Sequence, residues 1–392
     1  MSSGRAGGNK LTMTPQIRRR VGVLFAGLAL TAAVTAAGAQ TASYEIPTTR
    51  MDSAKAVLAQ QAADPKWKRE ATLPEDWLYT LADGVTTRQI SFYVDGGTRL
   101  YGKLYLPKGF DPKGSWPAVV VGHGINAVSL GIEKYAARFA ERGVVAMAID
   151  YQSYGYSDSG ADELLLQTAD TSTDKDAVVL RNAPVKIKRT NLNNVEEVKA
   201  FRAAISYLQG EPGVDPNRIG TWASSNGGTV THQLITVDGR IKAAVIHVMS
   251  TPPGQPRQSN LTGAQLNDAI QRVRTGQGGE ASAGFSFPTK IDAFGNVRNR
   301  DINGPGQWDR VRPSTAILYL PAERDELVGN PGRGAVRAVE YFKGRGVPAQ
   351  VIVFPGLTHF QPYSGPAFDV GSNLAADWYI KHLGEGRPAA RR

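Results

Sequence analysis

The sequence predicts an α/β fold in which a mostly parallel, doubly wound sheet follows an antiparallel start, and three observations carry that expectation. Two alternating segments, RQISFYV and RLYGKLYL, flank Asp95-Gly96-Gly97 as the strands of a half-buried hairpin would. Short, nearly continuous apolar runs then recur (AVVVG, VVAMAID, RIGTWA, AAVIHVM, AILYLPA and QVIVFPG), the pattern of strands buried on both faces. Between them lie segments of helical periodicity that can serve as crossovers: EKYAARFAERG, NVEEVKAFRAAISYLQG, GGTVTHQLI, GAVRAVEYFKGRG and NLAADWYIKHL.

A chain of 392 residues with 41% hydrophobic content has enough apolar surface for a large core. Its formal charge of +10 is concentrated at the ends. Arg5, Lys10, Arg18, Arg19 and Arg20 precede any acid, and Arg387, Arg391 and Arg392 form a basic tail over 386–392, expected to be frayed. The body is near balance and has no basic stripe for nucleic acid, so no nucleic-acid partner is expected. Residues 1–39 read as a signal peptide: a basic start, an Ala/Leu/Val-rich stretch from Val21, and a small-x-small site at Ala37-Gly38-Ala39. An uncleaved anchor is the competing reading, weakened by the many Ala, Gly and Thr residues of that stretch. A periplasmic or secreted protein without lasting membrane association is the expectation. With no cysteine, it has neither a lipoprotein acylation site nor a disulfide framework.

Residues 40–86 form a lead-in in which DSAKAVLAQQAA and PEDWLYTLADG are expected as helices, and 87–385 form the main domain. Two stretches break the strand and helix alternation: an insert at 160–193 and a region at 251–310 expected as a cap. Connections this long in a compact domain are usually lids or disordered, and both follow strand C-termini, where open α/β sheets bind ligands.

The chemistry centres on RIGTWASSNGG, residues 218–228. An apolar run enters Ser224-Ser225-Asn226-Gly227-Gly228 and leaves as a helix. So tight a turn strains its central residue and needs small neighbours if the hydroxyl is to project above the sheet. Ser225 is therefore the candidate nucleophile. Serine needs a base, and the base an orienting acid. His359 follows the last apolar run and Asp325 the one before it, giving the order Ser, Asp, His expected of this architecture. Glu323 and Glu326 flank Asp325 as alternative acids.

With VVVGHGIN, AIDYQSYGYSDS, RIGTWASSNGG, LPAERDELV and PGLTHF, the sequence from about Arg88 to Leu383 resembles the α/β-hydrolase superfamily, in particular its dienelactone-hydrolase-like and prolyl-oligopeptidase-like serine hydrolases. The resemblance implies an α/β-hydrolase fold with a cap insertion. It also implies an oxyanion hole formed by the backbone N–H groups of Ile125, after His123-Gly124, and of Asn226, after the nucleophile. The sequence departs from the family pattern in having Ala223 where glycine is usual, a polar Asn226, and no arginine in DYQSYGYSDS, where Asp150 and Tyr154 are expected to shape the pocket.

The remaining histidines, His232, His247 and His382, read as structural, and His123 as a support of the oxyanion loop. The histidines lack metal-ligand spacing and there is no phosphate loop, so neither metal nor cofactor is implied. Trp308, within the expected cap, is a candidate substrate contact beside Tyr154. These readings converge on an exported serine hydrolase acting on a small-molecule carboxylic ester or lactone. A serine peptidase of prolyl-oligopeptidase-like type is the alternative, set back by a lead-in too short for a propeller domain. A non-catalytic hydrolase-like binding protein is the third reading.

Overall fold

The structure is a computed structural model. It describes residues 77–94, 97–125, 127–158, 164–167, 185–188, 194–249, 308–328 and 331–389, together with residues 59 and 63. Residues 1–39, expected as a signal peptide, nearly all of the lead-in up to 76, and the expected cap apart from 308–310 lie outside the described residues.

Eight strands form one sheet: β1 (Thr86–Tyr93), β2 (Arg99–Leu106), β3 (Trp116–Gly122), β4 (Val145–Ile149), β7 (Val214–Ser224), β8 (Ile241–His247), β9 (Ala316–Leu320) and β10 (Ala349–Val351). Their order is β1-β2-β4-β3-β7-β8-β9-β10. β1 and β2 pair in antiparallel fashion, as does β2 with β4, and every later pairing is parallel. The antiparallel start and the buried parallel strands are those the sequence predicts. The insert holds something the alternation did not reveal, an antiparallel ribbon of β5 (Leu164–Gln167) and β6 (Val185–Lys188).

Side-chain alternation along each strand divides the apolar residues between two layers. On one face lie Ala118, Val120, Met147, Ile246 and Ile317, covered by helices α2 (Asn194–Gly210), α3 (Asn226–Val237) and α4 (Pro331–Gly344). On the other lie Val119, Val121, Ala148, Val245 and Leu318, covered by α1 (Glu133–Glu141) and α5 (Gly365–Leu383). Strands β3, β4 and β9 are buried along their whole length, which is why they appear in the sequence as continuous apolar runs. Only Phe92 of β1 is buried, as befits an edge strand with a wet face.

Successive parallel strands are added on opposite sides of β3, first β4 and then β7. The switch point, where such sheets open a crevice beyond the strand C-termini, therefore falls between β3 and β7. The loop after β3 carries His123 to Ile125, and the turn after β7 carries Ser225.

Two expectations about the ends are corrected. The segment PEDWLYTLADG is described only from Trp77, which has 3-10 conformation, and residues 78–84 are irregular chain and a turn, not the expected helix. Tyr79 is drawn into the body instead, where its hydroxyl donates to Glu133 Oε2 at 2.7 Å and lies 2.6 Å from the Tyr105 hydroxyl. The C-terminal tail is held as far as Ala389. Arg387 exchanges backbone hydrogen bonds with Ser115, and the Ala389 N–H donates to Asp111.

Glu133 is nearly buried, and its Oε2 also accepts from Lys103 at 2.7 Å and from Tyr105 at 2.6 Å. Glu133→Ala removes the shared acceptor of an ammonium and two phenols, which is expected to cost about 3 kcal/mol. Equilibrium urea unfolding measures this, and a loss under about 1 kcal/mol, the level of a solvent-exposed pair, would contradict the account.

Candidate active site

β7 ends at Ser224 and α3 begins at Asn226, leaving one residue to turn the chain. That residue, Ser225, has φ +53° and ψ −123°. For a side-chain-bearing residue such a conformation costs on the order of 1–3 kcal/mol and persists only where its surroundings enforce it. Here the Ser225 N–H donates to the His247 carbonyl at the end of β8 (3.0 Å), and the Ser225 carbonyl accepts from Thr229 in the first turn of α3 (3.2 Å). Small neighbours are obligatory. A Cβ on Gly227 would lie 2.3 Å from the His123 carbonyl oxygen, and one on Gly228 would lie 2.8 Å from Met249 Cβ. Ala223 is fully buried and accommodated where glycine is usual.

The loop after β3 closes against this turn. A Cβ on Gly124 would sit 3.0 Å from Ser225 Cβ and 3.6 Å from its Oγ. His123 is buried, its Nδ1 2.8 Å from the Gly124 carbonyl, and Tyr151 donates its hydroxyl to the His123 carbonyl at 3.0 Å. Ile125 follows in a turn and is half-buried. Asn226 is the first residue of α3, where backbone N–H groups have no partner within the helix. Its side chain has a partner that sequence reasoning missed: Nδ2 donates to Oε2 of the buried Glu197 on α2, at 2.8 Å.

Asp325 and His359 are 34 residues apart and come together because their loops are laced by backbone hydrogen bonds. Phe354 N–H donates to Pro321 O, Glu323 N–H to Phe354 O, and Arg324 N–H to Leu357 O. At the end of this lacing, His359 Nδ1 lies 2.7 Å from Asp325 Oδ2, with both side chains almost wholly buried. A carboxylate can only accept, so Nδ1 carries the proton and Nε2 is left as the basic nitrogen. Asp325 Oδ1 accepts from the backbone N–H groups of Leu327 and Val328, both at 3.1 Å. The flanking acids have other partners: Glu326 accepts the backbone N–H of His359, and Glu323 that of Gly356. The geometry thus selects Asp325 as the partner of the imidazole.

Tyr363 joins the two halves. Its ring centroid is 6.3 Å from that of His359 and 5.2 Å from that of His247, whose carbonyl holds Ser225. Burial pushes the Tyr363 hydroxyl's pKa up, an effect that contact with Ser224 opposes.

The two candidate substrate contacts are buried side chains. Trp308 is buried in the core, its ring 5.7 Å from His232 on α3 and 5.6 Å from Phe342 on α4; this packing, not a substrate, explains the tryptophan. Tyr154 is buried against His123, at 5.0 Å, and so backs the loop after β3. Asp150 is a stitch of the same region. It accepts backbone N–H groups from Ser129 and Tyr156, and a Cβ on Gly155, at φ +51°, would overlap its carboxylate. Among the described residues there is no group of three or more His, Cys, Asp or Glu that could hold a metal. Among them, too, no helix is long and apolar enough to cross a membrane.

A strained serine at a strand-to-helix turn, in a sheet of this order, decides the fold. The chain is an α/β hydrolase in fold. The model of the dienelactone hydrolase family matches residues 104–268 of this chain. A thiohydrolase of Aspergillus aculeatus, aneE, is 24% identical over 161 residues, 41% of each chain. The esterase FrsA of Shigella boydii is 38% identical over 73 residues, 18% of this chain and 17% of that one. The matched stretches thus span less than half the length of these curated relatives. Among solved structures, a hypothetical protein of Pseudomonas aeruginosa matches with a TM-score of 0.51 and 18% identity, over 80% of this chain and all of that one. A puromycin-hydrolysing peptidase of Mycobacterium tuberculosis matches with a TM-score of 0.52 and 19% identity, over 80% of this chain and 41% of that one.

Three histidines removed from solvent, His232, His247 and His382, give the fold a pH signature. Burial pushes His232 down to about 4, burial and then the proximity of His359 and Lys134 push His247 down to about 3, and burial and then Lys381 push His382 down to about 4. In the unfolded chain such rings protonate near pH 6.5, so below that pH the unfolded state binds more protons. Stability is therefore expected to fall as pH drops from about 6.5 to 4, by up to about 1.4 kcal/mol per pH unit for each ring. Urea unfolding at pH 8, 6 and 5 tests this, and equal stability at all three would contradict the burial of neutral imidazoles.

Proposed function

We propose that this chain is a serine hydrolase that cleaves a carboxylic ester or lactone through an acyl-enzyme on Ser225, and that it works in the periplasm or outside the cell after removal of residues 1–39. The observation that carries the reading is the buried Asp325–His359 hydrogen bond at 2.7 Å, in the same fold as a serine held at φ +53°. Ser225 Oγ attacks the carbonyl carbon while His359 Nε2 takes its proton and then delivers it to the departing alcohol. Asp325 holds the imidazole in the required tautomer and stabilises the imidazolium that forms. The N–H groups of Ile125 and Asn226 receive the oxyanion, and one such donor is typically worth about 2.7–4 kcal/mol of barrier. Water then attacks the acyl-enzyme by the same proton relay in reverse.

Relatives named esterase and thiohydrolase support ester-type chemistry and bring thioesters within the candidate substrates. The likeness to the puromycin-hydrolysing peptidase, at 19% identity, is one of fold.

Labelling the purified protein with a fluorophosphonate, locating the adduct by mass spectrometry, and screening p-nitrophenyl esters, a thioester and an aminoacyl-proline anilide tests the proposal. An adduct on Ser225 with ester turnover is expected. Turnover of the anilide alone would replace the esterase with a peptidase, and a folded protein that is neither labelled nor active would remove the serine mechanism. Ser225→Ala is expected to abolish turnover without loss of stability. Asp325→Asn is expected to lower kcat on the order of 10³-fold or more, and Glu323→Gln to leave it nearly unchanged. The reverse pattern in the two acid variants would transfer the role from Asp325 to Glu323.

A further inference from the structure

The first turn of α3 presents one oxyanion donor, yet its own sequence gives it little stiffness. Asn226 is followed by Gly227 and Gly228, both enforced by close approach to the His123 carbonyl and to Met249, and glycine is the residue that least restricts a helical backbone. The helix has no side-chain N-cap, because Ser225, in the cap position, is turned to the site. One side-chain contact compensates: the Asn226 amide donates to the Glu197 carboxylate at 2.8 Å, with both residues at least 95% buried. Among the described residues Asn226 Oδ1 has no hydrogen-bond partner, so there the Glu197 bond is what orients the amide. A hydrogen bond in a dry setting is stronger than one in water, and this one ties the turn to α2, a 17-residue helix packed on the sheet.

We propose that Glu197 is a positioning residue for the oxyanion hole, fixing through Asn226 the direction of the backbone N–H that meets the tetrahedral intermediate. This role rests on the serine-hydrolase reading. Glu197 touches no reacting atom, so its loss is felt in the barrier more than in substrate capture.

The test measures kcat and KM on a p-nitrophenyl ester together with the rate of fluorophosphonate attachment to Ser225. Glu197→Met is expected to lower kcat about 10- to 100-fold, less than deletion of an oxyanion donor, with KM within about threefold of wild type. Glu197→Gln, which still accepts from Asn226, is expected to recover most of that loss. Asn226→Asp sets two carboxylates face to face and lowers kcat, and combining it with Glu197→Gln rebuilds the hydrogen bond in the opposite sense and restores activity. A merely structural contact would lower the melting temperature without this exchange pattern. Wild-type kcat in Glu197→Met, or no gain of the double variant over Asn226→Asp, overturns the positioning role alone. Absence of any adduct on Ser225 in the wild-type protein overturns the serine reading and the positioning role together. Circular dichroism checks folding, and the exchange pair decides if Glu197→Met does not fold.

Discussion

The positive φ of Ser225 is the constraint on which the rest of the site depends. A chain that leaves β7 and enters α3 through a single residue exposes that residue's side chain above the sheet, at a strain cost on the order of 1–3 kcal/mol. The surroundings that hold it there are specific: the His247 carbonyl from β8, the first turn of α3, and the loop after β3, whose Gly124 abuts Ser225 and whose His123 carbonyl abuts Gly227. Each glycine is fixed by something it nearly touches. The sheet order sets up this approach, because β4 and β7 flank β3 on opposite sides and leave the loop after β3 facing the turn after β7.

His359 and Asp325 are placed by a different device. β9 and β10 pair in parallel, and beyond the end of β10 the backbone hydrogen bonds continue from Pro321 to Leu357. Asp325 and His359 meet at the end of that lacing, and Asp325 spends its second oxygen on two backbone N–H groups. Its orientation is therefore fixed before any substrate arrives. Preorganisation of this kind lets a buried pair stabilise a transient imidazolium without reorganising at the moment of reaction.

Much of this fold was legible because strands buried on both faces leave an unmistakable trace, as in WPAVVVG or AILYL. The turn at Ser225 was legible from its small residues for a steric reason that the structure makes concrete at Gly227 and Gly228. Features that depend on a distant partner were not. Nothing in PEDWLYTLADG tells that Tyr79 leaves a helical path to reach Glu133, 54 residues on. The tail was read as frayed, yet Arg387 is held through its backbone, which composition does not report. The β5–β6 ribbon has strands of four residues each, too short for a periodic signal. Asp325 was favoured over Glu323 and Glu326 by its place after the strand, and its contact with His359 agrees, whereas Glu197 reads from sequence as an ordinary acid in the first turn of a helix. Trp308 was read as a substrate contact because it falls in the region expected to form a cap, whereas its ring fills the core between α3 and α4.

The most direct test of the central claim is a crystal structure of the phosphonylated protein. The account predicts phosphorus on Ser225 Oγ, the phosphoryl oxygen about 2.7–3.1 Å from the backbone nitrogens of both Ile125 and Asn226, and His359 Nε2 facing the departed group's position. Phosphorus on any other residue, or a phosphoryl oxygen turned away from both N–H groups, would contradict it.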